Sequence, residues 1–184
     1  THLAIEDLAI LRVLPNMTVV APCDAQEMKR IMAATLDWPH PIYIRLAKGG
    51  DEVVSREENG FTLGKAILMR PPKEGLFVTT GIMTQVALKA CNILGEKGFE
   101  CGVLHMHTIK PLDHEALSNL LPKVRSLVTV EEHTRIGGLG SAVLEFCSDE
   151  MPEEAGKIRR IGIPHRFAEQ YGNQDSLLRF WKIS

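Results

Sequence analysis

The chain opens on an apolar stripe at helical spacing, Ile5, Leu8 and Leu11 within residues 3–14. Pro15 closes it because proline lacks the amide donor that would continue a helix. The β-branched run MTVVAP, 17–22, reads as a short strand. Asp24 followed three positions later by Glu27 is a capping-box signature, and Met28, Ile31, Met32, Thr35 and Leu36 then repeat at helical spacing. After the WPHP breaker, IYIRL at 42–46 is continuous enough to be a buried parallel strand, so these pieces predict one right-handed strand, helix, strand crossover.

Residues 48–60 are rich in glycine and charge and follow no period. They are expected to link two units, 1–47 and 61–184. In the second unit strands and helices alternate. FTLGKAILM and LFVTTG precede a helix from about Met83 to Lys97 that Gly98 stops. VLHMHTI, a helix capped by Asp113, LVTVEEH, the helix GSAVLEFC and IRRIGIP follow. Alternation of this kind predicts an α/β sheet with helices on both faces. The PPKEG turn between the first two strands is too short for a crossover helix, so the first strand is expected to run antiparallel to the rest.

Composition narrows the class. With 45% hydrophobic and 24% charged residues the chain can bury an aliphatic core, and a net charge of -2 leaves no basic field for nucleic acid or an anionic membrane. No run reaches the roughly 18 apolar residues of a membrane span. The four cysteines form no CxxC pair and three lie in apolar patterns, which points to a reducing cytoplasm. Because a helical pattern is under way within a few residues of Thr1, the sequence reads as the later part of a longer protein.

Several residues are candidates for chemistry. In EEHTRIGGLGSAVLE, 131–145, Gly138 and Gly140 give a GxG, but Val143 stands where a dinucleotide fingerprint has its third glycine. Gly137, Gly138 and Gly140 are therefore expected to allow positive φ and close packing of a helix N-terminus on a neighbouring domain. Glu131, Glu132 and His133 cluster at a strand's carboxyl end, a ligand-binding place in α/β folds, and a rim or interface is the expected role. His105 and His107 alternate along one expected strand and would share a face, yet no third ligand is near in sequence, so no metal is assigned. Arg45 ends its strand beside a glycine-containing turn, where a guanidinium can hold a phosphate with two hydrogen bonds or join a surface ion pair.

Taken in order, THLAIEDLAILRVLPNMTVVAPCDAQE, IYIRLAKGG, KPLD and VTVEEHTRIGGLGSAVLE resemble the second half of transketolase-type, thiamine-diphosphate-dependent enzymes, along essentially the whole chain. The resemblance implies the end of a pyrimidine-binding domain at 1–47 and a C-terminal domain at 61–184. The latter would be a three-layer αβα unit with a five-stranded mixed sheet containing one antiparallel strand. It implies transfer of a two-carbon ketol unit between phosphorylated sugars, with His2 and Arg45 binding substrate. Residues 131–133, Gly137, Gly138 and Gly140 would be packing and interface elements. Leu3 stands where the family commonly has Gln, and Leu46, Ala47 and Lys48 replace the usual continuation after the arginine. A deoxyxylulose-phosphate synthase, the β half of a 2-oxoacid dehydrogenase E1 component, and a non-catalytic module of the same fold are the alternatives.

The family's Gly-Asp-Gly to Asn segment and its activating glutamate are absent from these residues. The resemblance thus implies thiamine diphosphate and Mg²⁺ in the complete enzyme and none on this part alone. The expected partners are the missing N-terminal and pyrimidine-binding portions, a second copy in a homodimer, and a phosphorylated sugar.

Overall fold

The computed structural model describes residues 4–167 and 169–184. In the N-terminal unit, α1 (Asp7–Arg12) leads to β1 (Thr18–Val20), α2 (Ala25–Thr35) and β2 (Ile42–Ile44), with β1 and β2 parallel. The first helix is shorter than its apolar stripe predicts. Ile5 carbonyl accepts from the Thr134 N–H at 2.8 Å, and the Ala9 N–H that would have closed that turn donates to His133 Nε2 at 3.4 Å. Contacts with the second unit therefore replace the helix's own first turn. Asp24 caps α2 by accepting from Gln26 N and Glu27 N, both at 2.9 Å. Its other oxygen accepts from Val54 N and Ser55 N, strapping the extended segment 51–56 to the start of α2.

The second unit contains β3 (Ile67–Arg70), β4 (Gly75–Thr79), α3 (Met83–Glu96), β5 (Cys101–His105), β6 (Thr108–Lys110), α4 (His114–Leu120), β7 (Ser126–Thr134), α5 (Leu139–Glu150), β8 (Ile158–Ile163) and α6 (Gln174–Phe180). Its five-stranded sheet has the order β3-β5-β4-β7-β8, with β3 antiparallel to β5 and the other pairs parallel. Alternate residues of β4 separate the two faces. Leu76 and Val78 pack with Leu117, Leu139, Val143 and Phe146 of α4 and α5, while Phe77 faces α3 and α6. The architecture is α/β with three layers. Among the described residues no helix is long and apolar enough to cross a membrane.

Three further features depart from the sequence pattern. The β3–β4 connection does not form a hairpin. It passes over β5, and a Cβ on Gly102 would lie 2.5 Å from Pro72 N and 2.6 Å from Arg70 O. VLHMHTI is also not one strand. It leaves the five-stranded sheet after His105, and β6 pairs antiparallel with β1, so the small sheet has the order β2-β1-β6. One strand of the second unit thereby completes the sheet of the first. The short helix α6, capped by Asn173, is not among the expected elements; it covers the α3 face with Leu177, Leu178 and Trp181.

Candidate functional site

Arg45 follows β2, and its backbone N–H donates to Val20 O at 2.8 Å, which places the side chain at the edge of the small sheet. The guanidinium donates from Nη2 to the Ala4 carbonyl at 2.7 Å, and its Nε lies 3.6 Å from Asp7 Oδ2. Asp7 Oδ2 also accepts from the Tyr43 hydroxyl at 2.9 Å, while Asp7 Oδ1 is buried without a partner. The charged fork is thus held by one helix and one carbonyl, with about 15% of its side chain reaching solvent.

Solvent meets Arg45 in a cleft of about 720 Å³, lined also by Lys48, Glu132, Gln170, Tyr171, Asn173 and Gln174. A second cleft of about 290 Å³, more apolar and bounded by Ile5, Phe167, Leu177 and Trp181, shares Arg45 and Glu132 as its common wall. Two cations, a carboxylate and several carboxamides around an open cleft can bind a polar anion through charge and hydrogen bonds together. His2, the other expected substrate-binding residue, lies outside the described residues.

The Glu131-Glu132-His133 triplet is divided by the strand's alternation. Glu132 points to the Arg45 cleft, where Gln174 Nε2 donates to both its oxygens at 2.8 and 3.1 Å, and burial raises its carboxyl above the ordinary range. Glu131 and His133 point the other way and are fully buried. Sequence order groups Glu132 with its neighbours. Its place beside Arg45 follows from period-two alternation once β7 is known to lie near β2.

Glu131 explains the glycine-rich loop. Its Oε2 accepts from Leu139 N at 2.7 Å and its Oε1 from Gly140 N at 2.9 Å, so the protein's own carboxylate occupies the α5 N-terminus where a phosphate would otherwise sit. Burial pushes this carboxyl up to about 7 against the pull of the two N–H groups. Close approach, not backbone conformation, demands glycine at 138: its φ is -81°, but a Cβ would fall 1.9 Å from Glu131 Oε2 and 2.6 Å from His133 Nδ1. At Gly140 a Cβ would lie 2.7 Å from Thr129 Oγ1. Gly137 alone of the three has positive φ, +73°, with Ala9 of α1 in the way of any Cβ.

The same loop is bound to the first unit. Arg12 Nη1 donates to the carbonyls of Gly137 and Gly138 at 2.5 and 3.2 Å, and Arg12 Nη2 pairs with Glu145. His133 donates from Nδ1 to Thr134 O at 2.7 Å, which leaves Nε2 to accept from Ala9 N. Burial holds His133 below its ordinary pKa.

His105 and His107 do not share a strand face as expected, because the chain changes sheets between them; their ring centroids nevertheless lie 5.8 Å apart. The structure adds what sequence spacing could not. Glu27 of α2 accepts from Cys23 N at 2.7 Å and stands 2.8 Å from His105 Nε2, far away in sequence. Burial alone would raise Glu27, but His105 and His107 hold it below the carboxylate range, while burial raises the Cys23 thiol.

Comparison with known proteins is concordant. The family described as transketolase, pyrimidine binding domain, matches residues 1–50, and transketolase, C-terminal domain, matches residues 64–184. A subunit of the apulose-4-phosphate transketolase of Phocaeicola vulgatus is 36% identical over 89% of this chain and 52% of its own length. A 1-deoxy-D-xylulose-5-phosphate synthase of Halothermothrix orenii is 32% identical over 91% of this chain and 26% of its own length. A solved structure described as a split gene transketolase, inactive beta4 tetramer, is 36% identical with a TM-score of 0.91, covering 100% of this chain and 59% of that one. The chain spans about half the length of the first curated relatives it matches.

Proposed function

The chain belongs to the transketolase family, and from that premise we propose that it is the C-terminal part of an enzyme transferring a two-carbon ketol unit between phosphorylated sugars. The observation that carries this reading is Arg45 at the wall of an open cleft, in a chain similar to part of a sugar-phosphate transketolase. Arg45 and Lys48 would hold the phosphate, and Glu132, Gln170 and Gln174 would orient hydroxyls. His2 would donate to a sugar oxygen.

Members of the family depend on thiamine diphosphate, which supplies the carbon nucleophile when bound. The described residues of this chain do not fit that group. The cluster of three metal-ligating side chains among them, Cys23, Glu27 and His105, is sealed from solvent, so a Mg²⁺ carried by a diphosphate has no access to it. The cofactor and Mg²⁺ therefore belong, in this proposal, to the N-terminal and pyrimidine-binding portions outside these residues. Loop 137–140, with Glu131 and His133, serves as the packing element joining the two units. The complete protein would work in the cytoplasm as a homodimer of such assemblies.

The test compares kcat/KM for a phosphorylated and an unphosphorylated ketose in the assembled enzyme. A charge-assisted hydrogen bond contributes roughly 1.5 to 3 kcal/mol, so Arg45→Ala should lower the value for the phosphosugar by about 10- to 150-fold and leave the other nearly unchanged. Equal ratios in wild type and variant would make Arg45 a structural partner of Asp7 alone. The similarity to a deoxyxylulose-phosphate synthase supports a second reading. Formation of deoxyxylulose phosphate by the assembled protein would select it.

A further inference from the structure

Cys23, Glu27 and His105 each offer one ligand atom, Sγ, a carboxylate oxygen and a ring nitrogen, and these atoms lie within 4.8 Å of one another. All three residues are fully buried at the junction between the N-terminal unit and the five-stranded sheet. The cluster is not closed by its own hydrogen bonds. Glu27 Oε1 and His107 Nε2 are both buried with no partner. Each imidazole is also fixed through the other nitrogen: His105 Nδ1 lies 2.7 Å from Thr84 Oγ1, and His107 Nδ1 lies 2.8 Å from Thr108 Oγ1. Hydroxyl partners at both Nδ1 atoms orient the rings, as outer-shell groups do around a metal, turning His105 Nε2 toward Glu27 and leaving His107 Nε2 without a partner.

We propose that Cys23, Glu27 and His105 form a structural Zn²⁺ site that staples the two units together, with a water as fourth ligand. The charges of the shell balance: one thiolate and one carboxylate cancel a divalent cation, and a neutral imidazole and a water complete it, while the neighbouring Asp24 carboxylate is already held by four backbone N–H groups. A sulfur, a carboxylate oxygen and a nitrogen suit zinc and disfavour Mg²⁺ or Ca²⁺, which take oxygen ligands. Binding releases the Cys23 thiol proton. Where His105 Nε2 carries a proton toward Glu27, that proton shifts to Nδ1, and Thr84 Oγ1 accepts while donating to Thr79 Oγ1, 2.9 Å away. The Glu27–His105 pair must open from 2.8 Å to somewhat above 3 Å to admit ligand bonds of about 2.0–2.3 Å. Because the cluster is sealed, the ion enters as the chain folds.

The experiment uses the complete protein, unfolded with chelator and refolded with Zn²⁺ or Co²⁺. Elemental analysis after gel filtration should find about one metal per chain, and zinc-edge X-ray absorption should find one sulfur at about 2.3 Å with nitrogen and oxygen at about 2.0 Å. The cobalt form should show a thiolate charge-transfer band that disappears in Cys23→Ser. Metal below about a tenth of an equivalent per chain overturns the proposal and leaves a buried carboxylate–imidazole pair in direct hydrogen-bond contact. A sulfur-free absorption spectrum overturns it too, as does a band that survives in folded Cys23→Ser, which would place the metal at another cysteine. Should Cys23→Ser fail to fold, the wild-type metal content and absorption spectrum decide alone.

Discussion

Replacing Gly138 with alanine should remove the Glu131 carboxylate from the α5 N-terminus. The new Cβ would lie 1.9 Å from Glu131 Oε2, closer than any non-bonded pair allows, and the buried strand β7 gives the carboxylate no room to retreat. Moving it breaks the bonds from Leu139 N and Gly140 N, at 2.7 and 2.9 Å. At pH 8, where Glu131 is mostly ionised, two charge-assisted bonds contribute about 1.5–3 kcal/mol each, and the stranded charge adds its own penalty. Allowing for relaxation, the loss should be about 3–5 kcal/mol. With a urea dependence of about 2 kcal/mol per molar, the unfolding midpoint should fall by about 1.5 M or more. Gly156→Ala is the control, since nothing lies within 4 Å of its Cβ and its φ is not positive. Glu131→Ala in the Gly138→Ala background should cost less than the two changes summed, because the clash is gone. The reasoning fails if Gly138→Ala unfolds within about 0.3 M of Gly156→Ala, or if the double variant shows simple additivity.

Gly102→Ala should be more severe. The atoms in its way are Pro72 and Arg70 backbone, so the β3–β4 connection cannot cross β5, and soluble yield in a standard expression trial should collapse; normal yield would contradict the crossing. Glu131 also predicts a pH dependence. Its carboxyl titrates near 7 when folded against 4.5 for the free group, so the folded state keeps its proton longer, and this contribution is complete below 4.5 and lost as pH rises to 7. The stability of wild type relative to Glu131→Gln should therefore fall by about 3 kcal/mol between pH 4.5 and 7.5 in denaturant titrations, and a rise over that window would refute the assignment. Asp24→Ala removes the α2 cap together with the acceptor for Val54 N and Ser55 N; it should cost about 2–3 kcal/mol and raise amide exchange at Ser55, which a purely helical cap would leave unchanged.

Periodicity exposed what depends on neighbours in sequence. The α/β alternation, the antiparallel β3, the Asp24 and Asp113 caps, and the stop at Gly98, where φ is +85°, all rest on local patterns. Contacts between distant segments were hidden. Ala9 gives its helical hydrogen bond to His133, and β6 leaves one sheet for another, because partners in the other unit outweigh local propensity. Glu27 showed only as a capping residue, since its meeting with His105 depends on how the two units dock. The loop at 137–140 was recognisable as a close-approach element from its glycines, but the group it approaches, Glu131, was hidden by chain reversal. The position of Arg45 directly after a strand was legible; its Asp7 and Ala4 partners were not.

We propose that this chain supplies the substrate-binding, assembly-bearing part of a transketolase whose cofactor is held elsewhere. Ketol transfer from a ketose phosphate to an aldose phosphate, followed with thiamine diphosphate and Mg²⁺ present, tests it most directly. Residues 1–184 alone should give no turnover, and the same residues joined to the remaining pyrimidine-binding and diphosphate-binding portions should restore it. Turnover by residues 1–184 alone, or a folded complete assembly that transfers no ketol unit, would contradict the account.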